Sequence, residues 1–310
     1  MDKKQNIAIV GGSGFIGTHT ASLLLNNGYN VTIIDLEDSI LLEKDNNPPS
    51  FYKCDATNLV ELKKIFKENN FDYVFMLAAI SNSEENLISV PNSVNQNILS
   101  LTNVLECVKE FKIKRIIFSS TVWVYSVSSS TNVNEATLLP INKSNHIYTT
   151  MKLTCENIIE NYNKFFNVNY TILRYGVAYG PGCNPGTILS TFINNTLNKK
   201  LCTVTGNGSI YRNFLYVTDH ANANFKSLNE KAKNKIINVD GNEAISLNLV
   251  VETIKNLHGS IKVEYTDKRA GDYKGKIVSN KRAKKLLNWS PEVNFKTGSK
   301  FLYEYLKGKK

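Results

Sequence analysis

Asn6-Ile7-Ala8-Ile9-Val10-Gly11-Gly12-Ser13-Gly14-Phe15-Ile16-Gly17 runs an apolar stretch straight into a glycine-rich turn, and the rest of the chain is organised around that junction. An apolar-periodic helix follows to Asn27-Gly28, and Val31-Thr32-Ile33-Ile34-Asp35 closes a second buried strand on a carboxylate. Strand, glycine turn, helix and an acid about 20 residues on is the spacing of a dinucleotide-binding βαβ unit. Gly12 and Gly14 let the backbone turn tightly and approach a pyrophosphate, and Gly17 lets helix and strand pack closely. The helix opening at Phe15 and Ile16 presents free N–H groups and its positive dipole end to the phosphates. The turn from Gly11 to Gly17 is thus the expected cofactor site. Asp35 is placed to accept from both ribose hydroxyls; a carboxylate there repels a 2′-phosphate, so the cofactor is read as NAD rather than NADP.

The whole-chain properties agree with a packed enzyme. At 310 residues and 42% hydrophobic, the chain can bury one large core or two lobes and lies outside disordered composition. The formal charge of +10 and a pI near 9.2 would suit an anionic partner. Its lysines are scattered rather than gathered with aromatics into a stripe, which excludes nucleic acid as the expected partner and leaves an anionic nucleotide substrate. The basic ending Lys307-Gly308-Lys309-Lys310 reads as a solvated tail. Five cysteines (Cys54, Cys107, Cys155, Cys183, Cys202) are odd in number, with no C-x-x-C pair, and read as reduced thiols. Met1-Asp2-Lys3-Lys4-Gln5 leads directly into the first strand, and no apolar run reaches the roughly 18 residues of a membrane span, so a cytoplasmic protein with no membrane partner and no metal is expected.

After Asp35, residues Leu36 to Ser50 read as a surface connection. Phe51-Tyr52-Lys53-Cys54-Asp55 reads as a short strand, with Asp55 at the carboxyl edge where parallel sheets bind ligands; it could touch adenine or cap the helix expected from Asn58 to Asn69. Asp72 to Leu77 is another buried strand, and Ala78-Ala79 after it are small enough for a cofactor to lie against the backbone. An amphipathic helix is expected from Val90 to Phe111. Lys114 to Phe118 then forms a strand ending in the hydroxyls Ser119-Ser120-Thr121. Tyr148-Thr149-Thr150-Met151-Lys152 places a phenol and an ammonium four apart on a helical segment, so both share one face. A free tyrosine, with a pKa of about 10, is a poor base at neutral pH; a fixed Lys⁺ and a cationic nicotinamide both favour its phenolate. Asn169 to Arg174 is the next strand, and Tyr179-Gly180-Pro181-Gly182 breaks the pattern, which sets a lobe boundary there. Beyond it come a helix near Thr187 to Asn198, a hairpin over Gly206 to Val217 whose second arm carries Arg212, a strand Ile236 to Val239, a helix from Leu247 to Leu257 and two short C-terminal helices. Arg212 and Arg269, beside glycine turns, suit a diphosphate clamp as well as ordinary surface pairing.

Together these segments resemble the extended short-chain dehydrogenase/reductase family, in its nucleotide-sugar epimerase and dehydratase branch, nearly end to end. Gly11 to Gly17 is similar to its cofactor turn, Leu77-Ala78-Ala79 to its cofactor-backing strand end, Phe118 to Thr121 to its hydroxyl cluster and Tyr148 to Lys152 to its catalytic pair. Leu173-Arg174-Tyr175 with Tyr179 to Gly182 resembles the lobe junction, Gly206 to Asp219 and Arg269-Ala270-Gly271-Asp272 the substrate-diphosphate segments, and Leu286 to Pro291 the C-terminal signature. The resemblance implies an α/β fold: a Rossmann-type doubly wound parallel sheet over residues 1–175, joined by a later strand near 213–239, and a smaller mixed α/β nucleotide-sugar lobe over 176–310. It implies NAD contacts from Gly11, Gly14, Phe15, Ile16, Gly17, Asp35, Asp55, Ala56, Leu77, Ala78, Ala79, Asn97, Ser119, Tyr148, Lys152 and Tyr175. Thr121 and Tyr148 would meet the sugar, with Arg212, Arg269 and Asp272 on the nucleoside diphosphate.

By this resemblance Tyr148 takes the proton of a sugar hydroxyl, Thr121 holds the oxygen, and Lys152 lowers the phenol's pKa and binds the nicotinamide ribose. Departures from the family pattern choose among reactions. The 4,6-dehydratases carry an Asp-Glu pair after the catalytic threonine, where this chain has Val122 and Trp123, neither able to move a proton. Epimerisation at C4 is therefore expected over dehydration, and the resemblance implies a UDP-sugar substrate, UDP-glucose 4-epimerase-like, and a homodimer through the long helices. A 4-ketoreductase is the alternative; a 4,6-dehydratase or a non-catalytic NAD-binding protein is less favoured. The junction position that usually carries Asn is Val177, and the position that often limits the 2-substituent is Lys276, which leaves glucose, N-acetylglucosamine and glucuronate forms open.

Overall fold

Alternation along β1 (Asn6–Val10) sets the layering, because successive side chains of a strand point to opposite faces. Ile7 and Ile9 enter one apolar cluster, and Ala8 and Val10 enter the other. The computed structural model describes residues 4–39, 48–267 and 275–309. In chain order α1 (Phe15–Asn26), β2 (Asn30–Asp35), β3 (Ser50–Lys53), α2 (Leu59–Asn69) and β4 (Tyr73–Met76) follow β1. The short helices α3 (Ser83–Ile88) and α4 (Val90–Val94) lead through one π-turn at Asn95–Leu99 into α5 (Ser100–Glu110). The expected helix of residues 90–111 is therefore present but widened by that turn, which carries Asn97 inward to 3% exposure.

The chain continues through β5 (Arg115–Thr121), β6 (Asn132–Val133), α6 (Ile147–Phe166), β7 (Tyr170–Tyr175) and β8 (Val177–Tyr179). The remainder comprises α7 (Ile188–Leu197), β9 (Leu201–Thr205), β10 (Tyr211–Tyr216), α8 (Val217–Lys226), β11 (Lys235–Val239), β12 (Ala244–Ser246), α9 (Leu247–His258), β13 (Lys262–Thr266), β14 (Ile277–Val278), α10 (Lys281–Leu287) and α11 (Phe295–Gly308). Seven strands form one parallel sheet in the order β11-β7-β5-β4-β1-β2-β3. Leu62 of α2, Leu101 of α5 and Cys155 of α6 cover one face; Leu24 of α1, Ala223 of α8 and Leu287 of α10 cover the other. This is the doubly wound arrangement, and the strand order reverses between β1 and β4, so the ligand crevice lies outside their carboxyl ends. β11 returns from the C-terminal half to the outer edge beside β7, with Ile236 opposite Ile172.

A third cluster, with Leu189, Phe192, Phe214, Val250, Phe295 and Leu302, forms the core of the second lobe. Trp289, 1% exposed, fastens the C-terminal segment by donating from Nε1 to the Asp219 carbonyl at 3.1 Å. One expectation fails here. β9 and β10 are not the arms of a hairpin: β9 pairs in parallel with β13, while β10 pairs with β8 and β12. The Gly206 to Ser209 turn is tied to the start of α9, where Asn248 donates to the Asn207 carbonyl at 3.0 Å, and this steers the chain into a different sheet. The expected connection over residues 36–50 and the expected tail lie partly outside the described residues, as do Arg269 and Asp272 entirely.

Gly11 has φ of +84°, and a Cβ added there would lie 2.3 Å from the Ala78 backbone nitrogen. Gly11→Ala should therefore cost about 2–4 kcal/mol of stability, read as a lowered midpoint in urea unfolding at unchanged slope.

Candidate active site

The β1 to α1 junction is built from close contacts that leave one side open. A Cβ on Gly17 would meet the Gly11 carbonyl oxygen at 2.5 Å and the Gly12 Cα at 2.7 Å, while one on Gly12 would meet Ile33 at 2.8 Å. Gly14, by contrast, would meet only the Gly11 oxygen, at 3.4 Å. The tight positions are thus Gly11, Gly12 and Gly17; Gly14 keeps its outer face bare for a ligand. Gly14 is the N-cap of α1 and offers no side-chain cap, and the first turn holds no acid, so the leading N–H groups and the dipole end are left for an anion. Ser13 Oγ is buried there without a partner. Asp35 closes the far side: its Oδ2 accepts from the Ser13 N–H at 2.9 Å and its Oδ1 from the Leu36 N–H at 2.8 Å. Burial raises its carboxyl pKa, and these two bonds work against that rise. The pieces fit a dinucleotide: a bare anion-binding helix end, a glycine with an open face and an acid at the end of β2.

The other edge of the crevice is drawn in from β4. The N–H groups of Leu77 and Ala78 both donate to the Val10 carbonyl, at 2.8 and 2.9 Å, which presses Ala78 onto Gly11. Asp55 does not cap α2; that role falls to Asn58, whose side chain accepts from the Glu61 N–H. Instead Asp55 Oδ1 accepts from the Thr57 N–H and hydroxyl, both at 2.8 Å, and Oδ2 accepts from Gln96 at 3.4 Å. Ala56 next to it is buried. Asn97 donates to the Ser93 carbonyl at 2.9 Å and to Ile80 at 3.3 Å, while its own Oδ1 has no partner.

The hydroxyl cluster and the Tyr-Lys pair are brought together by α6. Its buried stripe of Met151, Cys155 and Ile159 lies on the sheet, and this aims the preceding turn over the end of β5. Lys152, 2% exposed, donates from Nζ to the Ser119 carbonyl at 2.7 Å, and Nζ lies 5.8 Å from the centroid of the Tyr148 ring. Ser119 Oγ in turn donates to the Met76 carbonyl at 3.1 Å. Thr121 Oγ1 caps the following 3-10 turn by accepting from the Trp123 N–H at 3.2 Å, which leaves its hydrogen able to donate. Tyr148 is half-buried, and its phenol has no hydrogen-bond partner among the described residues. Burial pushes the Tyr148 pKa above its ordinary value and the Lys152 pKa down to about 8, the latter against the pull of Cys155 and Glu156. Burial is the larger cause at both groups, and it disfavours charge on the phenol and on the ammonium alike. Tyr175, opposite Thr121 in the register, turns its hydroxyl to Asn224 on the α8 side and is buried against His220.

Beneath the pair lies a network that sequence reasoning missed. Glu156, one turn beyond Lys152, accepts from Arg174 Nη2 at 2.6 Å and Nε at 3.0 Å and from the Ser120 hydroxyl; Arg174 Nη1 reaches Tyr125 at 2.9 Å, and Tyr125 donates to Asn238 at 2.8 Å. Both charged side chains are 4% exposed. The signal was legible: Glu156 is an acid on the apolar face of α6, four residues from Lys152. On the second lobe, Arg212 lies 5.8 Å from the Trp123 ring, and Lys276 donates to the carbonyls of Ser128 and Ser130 at 2.7 and 2.8 Å. Arg212, Trp123, Val177, Asn213 and the buried Asp240 line one cleft.

A family model described as the NAD dependent epimerase/dehydratase family matches residues 7–240. A UDP-glucuronate 4-epimerase of Thermodesulfobacterium geofontis is 30% identical over 305 residues, covering 94% of this chain and 93% of that protein. A putative UDP-glucose 4-epimerase of Methanocaldococcus jannaschii is 29% identical, covering 97% and 98% of the two chains. Among solved structures, a UDP-glucose 4-epimerase of Thermotoga maritima with UDP-glucose superposes at a TM-score of 0.91 and 28% identity, over 98% of this chain and 99% of that one. A UDP-glucuronic acid 4-epimerase of Bacillus cereus, in complex with UDP-glucuronic acid and NAD, does so at 0.90 and 28%, over 99% and 100%. The segments from Gly11 to Asp219 that carried the expectation fall within the matched span, and the chain belongs to the NAD dependent epimerase/dehydratase family.

Proposed function

We propose that this protein is an NAD-dependent nucleotide-sugar epimerase that inverts C4 of a UDP-sugar through a transient 4-keto sugar. The observation that supports the reading is the line from the Gly11 turn to Ala78 at the end of β4, from the Met76 carbonyl of β4 to Ser119, and from the Ser119 carbonyl to Lys152, whose Nζ lies beside the Tyr148 ring. Bound NAD supplies a hydride acceptor that returns what it takes, so the reaction has no net redox change. Gly11, Gly14, Phe15, Ile16 and Gly17 would hold its pyrophosphate, Asp35 its adenosine ribose and Lys152 its nicotinamide ribose. Tyr148 Oη removes the proton of the C4 hydroxyl and gives it back after the sugar has turned over. Thr121 donates to the same oxygen, and Arg212, with Arg269 and Asp272 outside the described residues, holds the diphosphate. Val122 and Trp123 bring no acid or base for dehydration, which favours epimerisation over that branch. The division into a cofactor lobe over 1–175 with β11 and a substrate lobe over 176–310 is part of this reading. So is a cytoplasmic location, which the five buried free cysteines support. Among the described residues no helix is long and apolar enough to cross a membrane.

Tyr148→Phe should lower turnover of UDP-sugars by about 10²- to 10⁴-fold while NAD binding, followed by calorimetry, changes little; equal turnover would remove Tyr148 as the base. Asp35→Ala should weaken NAD by about 10- to 100-fold, since a charged hydrogen-bond acceptor is lost. During turnover of a panel of UDP-sugars, no absorbance of reduced nicotinamide should accumulate; net accumulation would indicate a ketoreductase instead. Leu87, Ile88, Val94, Leu99, Phe165 and Phe166 are exposed apolar side chains on or beside the two long helical segments, and we read them as a homodimer face. Sedimentation should give the mass of two chains.

A further inference from the structure

One face of α1 turns from the large sheet toward the second lobe. Phe15 and His19, four residues apart, share that face; their rings lie 5.8 Å apart, edge to face, and Phe15 packs against the apolar cluster of the second lobe. His19 Nε2 lies 3.1 Å from the Pro181 carbonyl oxygen. A carbonyl can only accept, so the hydrogen of the ring is on Nε2. Burial lowers the His19 pKa against the pull of that bond, which leaves Nδ1 without a proton and the ring neutral at neutral pH.

The segment that supplies the carbonyl is fixed from its other side. β8 ends on Tyr179, which is 1% exposed and packs on the rings of Phe214, Tyr216 and Phe295. β8 also pairs in parallel with β10, Val177 opposite Phe214. At Gly180 the chain turns with φ of +140°, where a Cβ would meet Val217 at 2.9 Å, and the Cys183 N–H closes the turn onto the Gly180 carbonyl at 3.1 Å. Arg212 stands on β10, two residues before Phe214. A continuous line of bonded and packed groups thus runs from the bare helix end at Gly14 through His19 and Pro181 to β8, β10 and Arg212.

Resting on the epimerase reading, we propose that His19 is a positioning residue for the reaction: its bond to Pro181 fixes the substrate lobe against the cofactor helix, and so places the sugar carbon against the nicotinamide and Tyr148. In that reading the hydride acceptor and the base stand on the first lobe, while Arg212 holds the diphosphate on the second. Each ligand can then bind its own lobe with the reacting atoms out of line, and a misplacement of about 1 Å can cost about 10²-fold in rate. The return of hydride suffers as much as its removal. A keto sugar that waits longer has time to leave, and each escape strands one cofactor in its reduced form.

The test compares the wild type with His19→Gln, His19→Leu and the smaller His19→Ala. Glutamine offers an Nε2 donor in place of the one on the imidazole; the other two offer none. His19→Leu and His19→Ala should lower kcat for a UDP-sugar by about 10- to 100-fold with KM and calorimetric NAD affinity little changed, and reduced nicotinamide should build up during turnover. Without any substrate, both should also speed amide hydrogen exchange over residues 180–188. His19→Gln should restore most of the kcat and the slow exchange. Wild-type kcat in His19→Ala, or a His19→Gln as impaired as the other two, overturns the inference while epimerisation by the wild type leaves the epimerase reading standing. A lowered melting temperature in all three variants with unchanged kcat overturns it as well, since that is the mark of packing alone. A wild type that epimerises no UDP-sugar overturns the underlying reading and this inference with it.

Discussion

The approach of two backbones at the switch point of the sheet governs everything downstream. Gly11 lies so close to Ala78 that not even a methyl group fits between them, and the Val10 carbonyl gathers the N–H groups of both Leu77 and Ala78. This draws the carboxyl ends of β1 and β4 together at the point where the strand order reverses. Because β4 pairs with β5, it also fixes where Ser119 and Thr121 stand relative to the helix end of α1. A crevice formed by main-chain contacts of this kind is stiff, and a stiff crevice can hold a cofactor in one place relative to a base.

The Tyr148 and Lys152 side is fixed by charge in the interior. Glu156 and Arg174 tie α6 to β7 in a bidentate pair, and Ser120 and Tyr125 extend it to β5 and β11 through Asn238. Such a pair adds little net stability over an apolar substitute but is costly to break, so its use is to hold one arrangement. Here that arrangement sets the register of Tyr148 and Lys152 above the strand ends. The same burial that orders these groups also opposes their charging: the phenol is pushed up and the ammonium down.

The second lobe shows how local pattern can mislead. A glycine turn between two strand-like segments looks like a hairpin, yet β9 and β10 belong to different sheets, because pairing partners far along the chain, β13 for one and β8 with β12 for the other, offered better packing for alternating Cys202 and Val204 and for Phe214 and Tyr216. The Asp240 cleft has the same origin. Gly176, Asn213 and Asp240 come from three separate segments, and nothing in their sequence spacing marks them as neighbours.

From sequence alone the βαβ unit, the acid at the end of β2, the hydroxyl cluster and the phenol-ammonium pair were readable, because each depends on residues close along the chain and on the periods of strand and helix. The homologous pattern also ordered those pieces into one fold. Tertiary structure alone decided which strands of the second lobe pair, that Asn58 rather than Asp55 caps α2, and that Tyr175 turns its hydroxyl to Asn224. It alone placed Glu156 beneath Lys152 with Arg174 and put a carboxylate in the space that Gly176 leaves. Those outcomes depend on burial and on partners tens of residues away, and the desolvation that raises the Tyr148 phenol and lowers the Lys152 ammonium exists only once the chain has packed.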